Sequence, residues 1–268
     1  MAHLGRRAAA RRRNNIIWGI VAFVALFGAV AALIYAQRQA PAKLNPNTLC
    51  PPGGPQGHIV LLVDRTDPLN FTQKKAFSEL MHEVIERRTP AGHLLSVYVL
   101  GEDFKETAEP LIEMCNPGTG EDSRFLDGNP EKEKRRYEQR FLKPLAEQAE
   151  ALVSSTAAKY SPIFEMLQMV SINSFRKHGV QGERRLLIVS DMLHNTPQAS
   201  MFRGSLDYGT FAASEYGHKM TLEMQGVKVE LNYLLHSPKL QTMQNVNFWE
   251  KHFDKAGARV VEVRRIEG

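Results

Sequence analysis

The chain of 268 residues has only two cysteines, Cys50 and Cys115. That excludes a zinc ribbon or any Cys-x-x-Cys cluster. Its nine histidines are scattered and none forms a His-x-x-x-His pair, so a helix-borne zinc site is excluded as well. No Gly-Lys-Ser/Thr phosphate loop and no Gly-x-Ser-x-Gly elbow occurs. Their absence argues against P-loop nucleotide chemistry and against a serine nucleophile on a strand–helix turn. Gly118-Thr119-Gly120 lacks the third glycine and the strand–helix setting of a dinucleotide site, and reads as loop. Internal repeats and heptads are missing. The ten methionines, Met166 and Met169 among them, read as core filler.

Charge is absent from one long stretch. Ile16 to Ala36, IIWGIVAFVALFGAVAALIYA, contains no charged residue over 21 positions. A helix of that length, at about 1.5 Å per residue, spans the hydrocarbon core of a bilayer. Five arginines precede it (Arg6, Arg7, Arg11, Arg12 and Arg13), whereas only Arg38 and Lys43 follow closely. Retention of positive charge in the cytoplasm then predicts residues 1–15 inside and the main domain periplasmic or extracellular. Trp18 and Tyr35 fall near the ends of the run, where interfacial rings are favoured. A cleaved signal peptide is the rival reading. Its apolar region is normally about 7–15 residues, and the small-x-small site Ala40-Pro41-Ala42 is spoiled by its proline.

Acidic residues are also missing from residues 1–43, which hold seven Lys or Arg. The remainder carries 27 basic and 29 acidic residues, so the sequence pI of about 9.2 reflects the N-terminal segment alone. Nothing in this balance supports nucleic-acid binding. Residues 37–57, rich in Pro, Asn and Gly, read as an extended linker. Residues 58–268 are enough for one sizeable core. Outside the membrane two cysteines suggest a Cys50–Cys115 disulfide; two independent thiols are the alternative.

His58–Asp64 is an apolar run ending in an acid and predicts a central strand. Phe77, Leu80, Met81, Val84 and Ile85 predict a helix over about 71–88, with Asn70 and Gln73 as its start signal. Further strands are expected over Leu94–Leu100, Pro110–Cys115 (an edge strand), Arg185–Asp191, Val227–Leu235 and Ala258–Ile266. Helices are expected over about 131–153, 162–177 and 241–256, the last with Val246, Trp249 and Phe253 inward. Residues 116–130 read as loop, and 197–217 as partly helical. The alternation predicts an α/β fold: a doubly wound, mainly parallel open sheet covered by helices on both faces. Ligands bind such sheets beyond the carboxyl ends of the strands. Asp64, Asp191, His194 and His236 all fall at those ends.

Three loop positions carry a resemblance: Asp64-Arg65-Thr66-Asp67-Pro68 after the first strand, Ser161 before a helix, and Ser190-Asp191 ending a strand. With the element order over roughly 58–266, the chain resembles a von Willebrand factor A-type domain. The resemblance implies a weak site for Mg²⁺ or another divalent cation at Asp64, Thr66, Ser161 and Asp191, completed by a partner carboxylate. Pro68 departs from the motif, because it stands where the family has a second hydroxyl. Plainer roles exist for each residue. Thr66 and Asp67 suit a turn before Pro68, Ser161 suits a helix N-cap, and Asp191 suits a cap after its strand.

The function implied is a membrane-tethered binding or scaffold module of a cell-envelope assembly, not an enzyme. It would recognise another protein through Asp64, Thr66, Asp67, Ser161 and Asp191. The alternative is a metal-dependent hydrolase or phosphoryl-transfer enzyme using Asp64 and Asp191, with Asp67, His194 or His236 as base. A structural spacer is a third reading.

Overall fold

The computed structural model describes residues 18–35, 44–120, 129–153, 157–203 and 207–267. The five N-terminal arginines, Ile16, Ala36, Arg38, Ala40–Ala42 and Lys43 lie outside the described residues, as do parts of the stretches 116–130 and 197–217.

Helix α1, Trp18–Tyr35, is long and apolar enough to cross a membrane, with 18 residues, a mean hydropathy of 2.3 and none of that window buried against protein.

The rest of the described chain is an α/β domain built on one six-stranded, mostly parallel sheet. Its strands are β1 (His58–Asp64), β2 (Leu94–Leu100), β3 (Ile112–Cys115), β4 (Arg184–Ser190), β5 (Lys228–Leu234) and β6 (Arg259–Ile266). Their spatial order is β3-β2-β1-β4-β5-β6, and β3 alone runs antiparallel to its neighbour. Every residue of β1 is buried, as an uninterrupted apolar run in a central parallel strand requires. The two edges are protected differently. β3 is short, and β6 exposes Arg259, Glu262, Arg264 and Arg265, charges that discourage edge-to-edge pairing.

Helix α2 (Phe71–Glu83) starts where expected, because Asn70 and Gln73 form a reciprocal capping box. It continues into a wider turn over Val84–Arg88. Helices α3 (Pro130–Tyr137) and α4 (Lys143–Val153) are joined by a similar segment, Glu138–Leu142. Helix α5 (Ile163–Val170) runs on through Ser171–Arg176. The stretch read as partly helical holds α6 (Tyr208–Ala213) and α7 (Glu215–Lys219), and α8 (Met243–Lys255) precedes β6.

Side chains along β1 alternate between two buried clusters, since successive strand residues point to opposite faces. Ile59, Leu61 and Val63 join Phe77, Leu80 and Met81 of α2, together with Phe141 and Leu145. Val60 and Leu62 join Phe164 and Leu167 of α5 and Val246, Trp249 and Phe253 of α8. Each fully buried apolar side chain contributes about 1.5–3 kcal/mol before chain entropy is counted. The two clusters therefore fix the strand register, and with it the strand ends.

Cys50 and Cys115 are joined by a disulfide. Beside it Leu49 is buried, and the Cys115 N–H donates to the Thr48 carbonyl at 2.8 Å. The end of the linker is thus part of the domain.

Candidate functional site at the strand ends

The strand order reverses at β1, whose neighbours are β2 on one side and β4 on the other. At such a switch point the loops leaving adjacent strands diverge and open a crevice beyond the carboxyl ends. Asp64 ends β1, and Ser190-Asp191 ends β4 beside it.

Asp64 is buried, and both of its oxygens are engaged. Oδ1 accepts from the Thr66 backbone N–H at 2.9 Å and from the Thr66 hydroxyl at 2.6 Å. Oδ2 accepts from the Ser190 hydroxyl at 2.6 Å. Burial pushes the Asp64 carboxyl above its ordinary range, against the pull of these three bonds. Asp191 is also buried and accepts from the Leu193 N–H at 2.8 Å. Burial first, and then the charge of Asp64, push its carboxyl well above the usual range.

The turn after Asp191 is held from behind. Met192 has φ 57°, in the left-handed region that non-glycine residues seldom occupy. Its N–H donates to the Ser190 hydroxyl at 2.9 Å, and its carbonyl accepts from Trp249 Nε1 at 2.9 Å. Backbone strain of this kind persists only where surrounding contacts over-determine it. Ser190 and Trp249 supply those contacts.

Ser161 reaches the same region through backbone pairing. It exchanges two hydrogen bonds with Asn195, at 2.8 and 3.0 Å, while the Ala158 N–H donates to the Thr66 carbonyl at 2.8 Å. The plain reading of Ser161 as a helix cap fails, because Pro162 occupies that position and no side chain caps α5. The Ser161 hydroxyl is buried and has no hydrogen-bond partner in the protein. An orphaned buried oxygen suits a ligand-binding role better than a structural one. For a divalent cation, Ser161 and one oxygen of Asp191 thus fit, Thr66 offers lone pairs only, and Pro68 offers nothing.

Asp67 is half-exposed, in the loop after β1. Its carboxylate, that of Asp191 and the imidazole of His236 place one donor atom each within 4.8 Å of one another. His236 had only its strand-end position to mark it in the sequence. His194 is wholly buried instead, packed on the Phe164 ring at 4.5 Å and within 3.0 Å of the Tyr216 hydroxyl. Burial holds its pKa down at about 3, so it stays neutral.

An open groove of about 1290 Å³ adjoins these loops. Gly101 beyond β2, Tyr160 and Pro162 on either side of Ser161, and Thr196 beyond β4 contribute to its wall. Five carboxylates, those of Glu102, Asp103, Glu106, Glu165 and Glu215, face it against two lysines, Lys105 and Lys219. Sequence reasoning missed this groove, because its walls come from irregular loops and short helices that carry no periodic signal.

No protein-family model and no curated protein sequence matches this chain. Among solved structures it is similar to the human COPII-coat protein Sec24c, at 8% sequence identity and a TM-score of 0.36. The match covers 80% of this chain and spans 30% of the length of that one. The likeness is too loose for anything to transfer from that protein.

Proposed function

We propose that this chain is a membrane-tethered protein-binding module. A doubly wound, von Willebrand factor A-like domain would recognise an envelope partner at the carboxyl ends of its strands. The observation that carries the reading is the convergence of three separate loops on one crevice. Asp64 is bonded both to Thr66 and to Ser190, and the Ser161 loop is bonded both to Thr66 and to Asn195. The strand order and the two buried clusters support the doubly wound description. The acidic groove alongside favours a partner that presents a basic segment.

Helix α1 is the proposed anchor, with the arginine-rich segment cytoplasmic and residues 44–268 periplasmic or extracellular. The Cys50–Cys115 disulfide is consistent with an oxidising compartment. We propose no catalytic role. Asp64, the residue a hydrolase would need most, already spends both oxygens on hydrogen bonds within the domain.

Site-specific photocrosslinking in intact cells tests this. A crosslinker at Asp67 is expected to trap a discrete partner, and one at Val261 on the opposite edge strand is not. Thr66→Val or Asp64→Ala, in variants that remain folded, should abolish the trapped species. Equal crosslinking from both positions would remove the strand-end face as the binding surface. A C-terminal tag protected from protease in intact spheroplasts would overturn the topology.

A further inference from the structure

We propose that Asp67, Asp191 and His236 form a site for one first-row transition cation of the Zn²⁺ type. Its donors differ from the all-oxygen set that the family resemblance implies, and the site does not depend on the face having a protein partner.

The three residues come from the ends of three adjacent strands. Asp67 lies in the loop after β1, Asp191 follows β4, and His236 lies just beyond β5. Their ligand atoms lie within 4.8 Å of one another. Around a tetrahedral cation with bonds of about 2.1 Å, ligand atoms lie about 3.4 Å apart, so closing the set needs side-chain rotations that bring the atoms together by up to about 1.4 Å.

The histidine carries the argument. Gln73 Oε1 accepts from the Asn70 backbone N–H at 3.1 Å, which fixes that end of the amide as the carbonyl. His236 Nε2 lies 3.1 Å from the same oxygen. A carbonyl only accepts, so Nε2 carries the proton and donates it. Nδ1 is then the nitrogen with the lone pair. It is buried, it has no hydrogen-bond partner, and it sits 4.0 Å from Asp67 Oδ2. That separation is too long for a hydrogen bond. An imidazole nitrogen and the oxygens of two carboxyl groups thus converge on one point.

Metal-bound histidines characteristically donate their second ring N–H to a carbonyl or carboxylate, which fixes the tautomer. Gln73 fills that role here, and it is itself wholly buried and held in the α2 capping box. An imidazole beside two carboxylates suits Zn²⁺ and its neighbours, whereas Mg²⁺ prefers oxygen throughout. Three protein ligands leave a fourth position open to water or to a carboxylate from outside.

The test uses the full-length chain in detergent, stripped with chelator and with no partner added. Equilibrium dialysis with elemental analysis should find one Zn²⁺ per chain, bound at least ~100-fold more tightly than Mg²⁺. His236→Gln and Asp67→Asn should each weaken Zn²⁺ by more than ~10-fold with an unchanged circular dichroism spectrum. Co²⁺ should give visible d–d bands that His236→Gln alters. The proposal falls if no Zn²⁺ binds at about millimolar concentration, or if Mg²⁺ binds equally well. It also falls if Thr66→Val abolishes binding while His236→Gln preserves it. None of these outcomes bears on crosslinking to a protein, so the two ideas fail separately.

Discussion

Ser190 donates its hydroxyl to Asp64 at 2.6 Å and so links the ends of two neighbouring parallel strands. The same oxygen accepts the Met192 N–H at 2.9 Å, so one small side chain satisfies two buried groups across the switch point. Removing it orphans both. Ser190→Ala should cost about 2 kcal/mol, within the range for unsatisfied buried groups. Urea unfolding followed by tryptophan fluorescence measures this, and a loss under about 0.5 kcal/mol would mean that water takes over the hydroxyl's role.

Three buried histidines weaken the fold in acid, against an opposing contribution from the raised carboxyls of Asp64 and Asp191. Burial lowers His58 and His194 to about 3 and His252 to about 4, from an ordinary 6.5. His178 assists at His58, and Lys255 assists at His252. Between 6.5 and those lowered values the unfolded chain binds more protons than the folded one, so stability falls as pH falls. Each histidine contributes a slope of up to about 1.4 kcal/mol per pH unit in that window. Unfolding midpoints from about pH 7 down to about pH 4.5 should decline, and His194→Gln should remove roughly a third of the histidine slope. An identical decline in the variant would show that His194 already titrates normally.

The disulfide joins residues 65 apart in sequence. Constraint of the unfolded chain over that loop is worth up to about 4 kcal/mol in the entropy model. Cys50→Ser should lower stability by about 2–4 kcal/mol, and Cys115→Ser by a similar amount. Peptide mapping without reductant checks the link itself: a Cys50–Cys115 peptide is expected, and two alkylated thiols in the native protein would refute it.

Glu230 is 4% exposed and sits between Arg88 and Arg185, at 2.6 and 2.9 Å. Glu230→Ala leaves two partly buried guanidinium groups facing one another. The expected loss is about 3 kcal/mol, with Glu230→Gln costing less because it keeps hydrogen-bonding capacity. Equal stability of Glu230→Ala and the parent would show that the arginines simply turn outward to solvent.

The strands and their order of appearance were legible in the sequence, because fully buried parallel strands read as unbroken apolar runs; His58–Asp64 is the plainest case. Asn70 and Gln73 announced α2 through a local rule, and the structure contains both halves of the capping box. Position at a strand end was enough to bring Asp64, Asp191, His194 and His236 forward together. It could not separate His194, which faces the core, from His236, which faces the crevice. That distinction depends on Phe164 and Tyr216 in one case and on Gln73 in the other, partners remote in sequence. Ser161 was ambiguous for a similar reason. A serine before a proline looks like a cap, and only the backbone pairing with Asn195 turns it elsewhere. The irregular 197–217 region offered neither period 2 nor period 3.6, and so its helices had no visible bounds.

The Cys50–Cys115 link decides where mechanical tension enters the domain. The chain just before Cys50 would otherwise pull through residues 51–57 on His58, the first residue of the central strand β1. With the link in place, a pull reaches the sheet at Cys115, on the edge strand β3, and residues 51–57 lie off the path of the load. β1, with Asp64 at its far end, is thereby shielded from any force applied through the segment before Cys50.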